Sequence, residues 1–266
     1  MELIDVGVNL THDSFDADRD EVIAAAKRAG VRRMIVTGTT VQASRDAAAL
    51  ARRHPGDMFA TAGIHPHHAT ECTAHALSEL GILAASDRIV AIGECGLDYF
   101  RNFSPPDVQR DAFEAQLQLA VDLELPVFLH QREAHDDFLA IVRNFRSGIV
   151  DALAHCFTGS ATERDHYLDL DMHIGVTGWV CDERRGHDLQ AAIPGMPLQR
   201  LLVETDAPYL LPRTVEPKPK SRRNEPSMLP WVVREVARLK ETDEEEIAAA
   251  STANAERFFR LPGPDR

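Results

Sequence analysis

Four apolar stretches of the chain each end in a side chain able to hold a metal ion or move a proton. Ile89-Val90-Ala91-Ile92 leads through Gly93 to Glu94, Val127-Phe128-Leu129 to His130, and Ala152-Leu153-Ala154 to His155. Leu201-Leu202-Val203 leads to Glu204-Thr205-Asp206. A carboxylate delivered by a buried strand is costly unless something binds it. Glu94, His130, His155 and Asp206 together form a donor set for a divalent cation. Carboxylates suit magnesium and manganese, and imidazole suits zinc, manganese and iron. Any one of the four alone has a simpler reading as an ion pair or a hydrogen-bonded buried polar group. Four at corresponding strand ends favour the metal, because clustered titratable groups in a concavity mark function.

Other residues fall near the same strand ends. His65 follows Gly63-Ile64 and is expected to contact phosphate or substrate. Pro66 turns the chain there, so His67 and His68 are expected in an exposed loop, and His54, His75 and His166 on helix surfaces. Arg132 lies two residues beyond His130, which puts it on the same strand face. Its guanidinium would grip phosphate oxygens in a bidentate manner, or else pair with Glu133 or Asp136. Asn9 ends the first strand at the same level. The segment from Arg213 to Asn224 carries Arg213, Lys218, Lys220, Arg222 and Arg223. It reads either as a holder for a polyanionic substrate or as a solvated loop. Trp179 reads either as a stacking platform for an unpaired base or as a core or lid residue.

The elements that must position these side chains alternate regularly. Strands are expected at Leu3–Leu10, Arg33–Thr37, Met58–Ile64, from Ile89, Pro126–His130, Asp151–His155, His173–Thr177 and Leu201–Thr205. Helices are expected at Asp18–Ala29, Gln42–Arg53, His75–Ala85, from Pro105 to Leu125, Ala134–Phe145, Ala161–Leu170, Arg185–Ala192, Leu229–Lys240 and Glu244–Phe259. Near-continuous apolar strands separated by helices imply a parallel sheet covered on its outer face. Eight such units predict an α/β fold of the TIM (β/α)8 barrel type, one domain over residues 1–266. Its chemistry would lie at the C-terminal ends of the strands. No GxGxxG follows the first strand, so dinucleotide binding is unsupported.

Composition is ordinary for a globular chain of 266 residues, with 44% hydrophobic and 27% charged residues. The net charge of −13 argues against a passive coat on nucleic acid or an anionic membrane surface. The four cysteines show no CxxC spacing and are expected as reduced thiols in a cytoplasmic protein. Cys95 and Cys156 each follow a proposed ligand by one residue and are expected to face the helix layer. The start, MELIDVGVNL, has neither a basic region nor a long apolar core, so no secretory signal is expected. No apolar run is long enough to span a bilayer.

The motifs in order resemble the TatD family of metal-dependent deoxyribonucleases, amidohydrolase-like TIM barrels. They are GIHPH (Gly63–His67) with IGECGLDY (Ile92–Tyr99), PVFLHQREAHDD (Pro126–Asp137) and LQRLLVETDAPYL (Leu198–Leu210). VTGWVCDERRG (Val176–Gly186) is similar to the TatD branch in particular, and the resemblance covers essentially the whole chain. One position departs. Many members carry an HxH pair after an aspartate at the end of the first strand, whereas here Asp5 is followed by Gly7 and Asn9 at those positions. The resemblance implies a metal site built from Glu94, His130 and His155, with Asp206 as ligand or general base and Glu94 shared with the catalytic set. It implies Mg2+, with Mn2+ or Zn2+ as alternatives, and one tightly held ion rather than two. It also implies a 3′→5′ exonuclease acting on the 3′ ends of single-stranded DNA in repair or degradation, with Asn9, His65 and Arg132 holding substrate. No membrane association is expected, and the chain is expected to be a monomer. Two other readings stand beside this one: a metal hydrolase of a small ester, amide or lactone, and a barrel that has lost its chemistry and only binds.

Overall fold

Eight strands form one sheet in the order β1-β2-β3-β4-β5-β6-β7-β8 in this computed structural model, which describes residues 1–86 and 88–263. They are β1 (Leu3–Val8), β2 (Val31–Val36), β3 (Met58–Ala62), β4 (Ile89–Asp98), β5 (Val127–Arg132), β6 (Ala152–Ala154), β7 (His173–Val176) and β8 (Leu201–Val203). The pairs β3–β4, β4–β5, β5–β6 and β7–β8 are parallel. Helices follow the strands: α1 (Arg19–Arg28), α2 (Val41–Arg53), α3 (Ala74–Ala84), α4 (Pro106–Leu123), α5 (His135–Phe145), α6 (Ala161–Asp169), α7 (His187–Ala192), α8 (Leu229–Lys240) and α9 (Glu244–Phe258). Strand order and alternation are those of the expected (β/α)8 barrel fold.

The chain divides into two compact units. The first comprises Met1–Ile35, Cys156–Asp165 and His173–Arg266. All six residues of β1 are buried, and α9 packs on β1 and β8. Polar groups of α9 fix how β8 begins. Asn254 Nδ2 donates to the carbonyls of Leu198 and Leu201, at 2.7 and 2.8 Å, and Ser251 Oγ accepts from Val203 N–H at 3.0 Å.

The second unit comprises Val36–His155 and His166–Met172. Here α4 lies along β4 and supplies two amide side chains to backbone that the sheet leaves unpaired. Gln116 accepts from Ile64 N–H at 2.7 Å and donates to Ile64 carbonyl at 3.0 Å. Gln109 accepts from Asp98 N–H at 2.8 Å and donates to Ser104 carbonyl at 2.7 Å. Buried backbone groups need such partners, and these two fix the stretches that carry His65 and Asp98. Phe113 of α4 stacks on Phe138 of α5, with centroids 5.5 Å apart.

The strand ends all differ from expectation by a few residues, and three of them bear most on the site. β4 runs ten residues, through Glu94 to Asp98. β6 stops at Ala154 and β8 at Val203, so His155 and Asp206 stand just beyond their strands. Cys156 is therefore not a strand residue. Its φ is +47°, its N–H donates to Glu204 Oε1 at 2.5 Å, and its Sγ lies 3.7 Å from Thr177 Oγ1. Cys95 is fully buried.

Candidate metal centre

Two glycines let β4 carry its carboxylate into the interior. A Cβ on Gly93 would meet Phe128 O at 2.1 Å, and one on Gly96 would meet His130 O at 1.9 Å. Both also have φ in the left-handed range, +137° and +143°, where a side chain is strained. β4 and β5 therefore approach closely, with a register shift between Ile92 and Cys95. Gly96 then stands opposite His130 and Asp98 opposite Arg132.

Glu94, buried, sits among three imidazoles. Its Oε1 lies 3.0 Å from His130 Nδ1, 3.3 Å from His65 Nε2 and 3.6 Å from His155 Nε2. His65, Glu94 and His130 each direct one donor atom to a common region compatible with a metal ion. His155 is held by its N–H donating to Leu129 carbonyl at 2.8 Å, and its ring lies against Phe128 at 4.5 Å. The expected ligands Glu94, His130 and His155 are thus brought together within the second unit. His65, expected to contact phosphate, also lies in this cluster of possible donor atoms, its Nε2 facing Glu94.

Asp98 was not expected at the site, and His67 was expected to be exposed. Asp98 is 1% exposed, and its Oδ2 lies 2.8 Å from His67 Nε2 and 3.5 Å from His130 Nε2. The His67 ring also lies edge-on to His65, centroids 4.2 Å apart. A signal for Asp98 existed: it is four residues past Glu94, so an extended strand puts both on one face. His67 turns inward because Pro66 opens a short 3-10 turn, capped by His65 Nδ1 accepting from His67 N–H at 3.1 Å. His68 is exposed as expected. His166 is not simply a surface residue: its Nδ1 lies 3.0 Å from His135 Nε2.

The protonation pattern fits a cation. Burial pulls His65 down to about 4, so its ring is neutral near pH 7. Burial pushes Glu94 up, but the imidazoles of His65, His155 and His130 hold it well below the usual carboxylate range. Burial also opposes ionisation of Asp98, yet the neighbouring imidazoles of His130 and His67 keep it depressed. His130 is lowered by burial but raised overall by Asp98 and Glu94. Among the described residues, buried His130 Nε2 has no well-formed hydrogen bond. His130 Nδ1 and neutral His65 Nε2, 3.0 and 3.3 Å from the ionised Glu94 Oε1, make the kind of nitrogen and carboxylate donor set a divalent ion takes.

The first unit holds Asp206 and Asn9. Asn9 Nδ2 donates to Asp206 Oδ1 at 2.9 Å. Asp206, with φ +53°, donates its N–H to Gly7 carbonyl at 2.8 Å. Glycine at position 7 and asparagine at 9 thus frame this aspartate. Behind it, Asp5 accepts from Thr205 N–H and Oγ1–H at 2.9 and 2.5 Å, and burial pushes Asp5 up to about 7. Arg132, at the end of β5 in the second unit, stacks its guanidinium over Phe100 at 3.8 Å. Among the described residues it forms no ion pair with Glu133 or Asp136. In the basic segment, Arg223 is committed to Asp18 at 2.7 and 2.9 Å, while Lys220 and Arg222 are exposed.

A sequence profile described as TatD related DNase matches residues 4–260. The chain belongs to the TatD related DNase family. It is accordingly a nuclease, a hydrolase of phosphodiester bonds. It is 51% identical over 97% of its length to the whole of a protein of Pantoea sp. (strain At-9b) named 3′-5′ ssDNA/RNA exonuclease TatD. A protein of the same name from Edwardsiella piscicida is 49% identical over the same share. Among solved structures, a TatD family hydrolase from Entamoeba histolytica superposes with a TM-score of 0.89 at 26% identity, covering 98% of this chain and 99% of its own. A TatD homologue from Escherichia coli K12 gives 0.89 at 27%, covering 98% of each chain. TatD family DNases are metal-dependent, and the cluster around Glu94 has the donors such dependence requires. No described helix is long and apolar enough to cross a membrane.

Proposed function

We propose that this TatD family nuclease is a magnesium-dependent 3′→5′ exonuclease of single-stranded DNA. The observation that carries the reading is Glu94, an ionised buried carboxylate ringed by His65, His130 and His155. Direction and strandedness rest on the relatives, whose names also include RNA. Manganese and zinc are the alternative ions, and one tightly held ion suits a first strand that carries Gly7 and Asn9 instead of two imidazoles.

Glu94, His130 and His155, joined by His65, would hold the ion, with Asp206 as the candidate further ligand or general base. When bound, such an ion polarises a phosphoryl oxygen and makes water a better nucleophile. Asp206, whose carboxylate Asn9 orients, would serve as the general base that takes a proton from water. Arg132 offers a planar guanidinium to the phosphate. Contacts of this kind carry little sequence information, so cleavage is expected to be weakly sequence-dependent. The four free cysteines suit a reducing cytoplasm. A monomer acting in DNA repair or degradation completes the proposal.

The test is a single-stranded oligonucleotide labelled at either end and incubated with magnesium. Stepwise loss of 3′ nucleotides, abolished by Glu94→Gln, is expected. Internal cuts, trimming from the 5′ end, or full activity in Glu94→Gln would contradict the reading.

A further inference from the structure

Within the first unit, the loops that follow β7 and β8 enclose a cleft of about 470 Å³. Five cationic side chains line it, Arg184, Arg185, Arg213, Lys218 and Arg222, against one acidic residue, Asp182. The whole chain carries −13, so this is a local reversal of sign. Asp182 is buried and held ionised at about 2: burial opposes this, and Arg184 and Arg185 overcome it. Asp182 meets Arg185 Nη2 at 2.9 Å and Arg184 Nε at 3.4 Å. Arg213 is bound to Glu183 at 3.0–3.2 Å. Lys218 donates to the carbonyl of Arg213. Among the described residues, Arg222 forms no ion pair.

The cleft is not merely charged. Trp179 lines it with Leu210 and Pro212, and the Arg185 guanidinium lies over the indole, 4.5 Å from its centroid. A flat cation on an indole face marks a surface that also accepts a nucleobase, because every base presents a π-face. Cations beside an aromatic platform match a ligand that alternates phosphates with planar rings. A carboxylate-rich peptide would use the charges and leave the indole idle.

We infer that this cleft binds a stretch of single-stranded nucleic acid, with a base on Trp179 and phosphates against Lys218, Arg222 and the arginines. On binding, the base takes the place of the Arg185 guanidinium, which turns to a neighbouring phosphate. The inference rests on the nuclease reading above and adds a strand-holding subsite built from residues outside the Glu94 cluster.

The experiment measures tryptophan fluorescence in EDTA, which prevents cleavage, while a short oligothymidylate or an abasic oligomer of equal length is added. In Trp231→Phe protein, Trp179 is the remaining tryptophan. Oligothymidylate should quench it and bind roughly tenfold more tightly than the abasic oligomer, and Trp179→Leu should remove that preference. Lys218→Ala/Arg222→Ala, two exposed changes, should weaken oligothymidylate binding roughly tenfold and lower the slope of log affinity against log salt by about one. The same variant should hydrolyse bis(p-nitrophenyl) phosphate, which has a single phosphate, at the unaltered rate. Unquenched Trp179, equal affinity for the abasic oligomer, strong competition by polyglutamate, or unchanged binding in the double variant would overturn the inference. Absence of magnesium-dependent hydrolysis of any phosphodiester would instead overturn the function proposed above, and leave oligothymidylate binding to decide the cleft.

Discussion

Asp98 Oδ2 lies 2.8 Å from His67 Nε2, joining the far end of β4 to the turn after β3. The same oxygen lies 3.5 Å from His130 Nε2. Asp98 therefore orients two rings next to Glu94 without belonging to the group of donor atoms that meet there. Outer carboxylates of this kind set ring orientation and basicity at metal sites, and their loss costs roughly 10–100-fold in affinity or activity. Asp98→Asn should weaken manganese binding, measured by calorimetry, by about that factor while leaving the fold intact by circular dichroism. Unchanged affinity would show that the carboxylate does not position the cluster.

Gln116 serves the site from a distance. It is 1% exposed and closes both backbone groups of Ile64, the residue before His65. Gln116→Leu leaves a buried N–H and a buried carbonyl unpaired, at about 1–3 kcal/mol each. Denaturant unfolding should show a loss of roughly 2–6 kcal/mol. A change within 0.5 kcal/mol, the range of ordinary surface substitutions, would contradict this role.

Asp5 makes stability depend on pH. Burial raises its folded pKa from 3.8 to about 7, against the hydrogen bonds from Thr205. A raised folded pKa means that the stabilisation is complete below the unfolded value and is lost as pH rises through the folded one. Wild type should therefore shed stability from this group between pH 4 and 7, by an upper figure of about 4 kcal/mol. Asp5→Asn stays neutral throughout. The difference in unfolding free energy between the two proteins should move in the variant's favour as pH rises from 4 to 7. A constant difference would show that Asp5 is ionised in the folded state.

Much of this arrangement is legible in the sequence because it follows from strand periodicity. Apolar runs that lead to Glu94, His130 and His155 mark those residues as strand-end side chains, whereas the close approach of β4 to β5 at Gly93 and Gly96 shows only in the fold. Local pattern could not show where β4 stops. Its extension to Asp98 depends on Gln109 of α4 closing the Asp98 N–H, a tertiary contact. His67 was hidden for a related reason: polar residues after a proline read as a loop, and its partner is 31 residues away. His65 was legible as a site residue, but not its approach to Glu94, which depends on how β3 meets β4. The basic segment read as one unit, yet ion pairs commit Arg223 to Asp18 and Arg213 to Glu183 and leave Arg222 exposed.

His65, Glu94, His130 and His155 are proposed to hold a catalytic divalent ion. The most direct measurement is calorimetric titration of the metal-free protein with manganese at several pH values, alongside Glu94→Gln. One ion should bind per chain with an affinity that rises with pH, because ligand imidazoles must be neutral and binding releases protons. Glu94→Gln should lower that affinity by at least about tenfold. Equal affinity in the variant, or binding without pH dependence, would contradict the account.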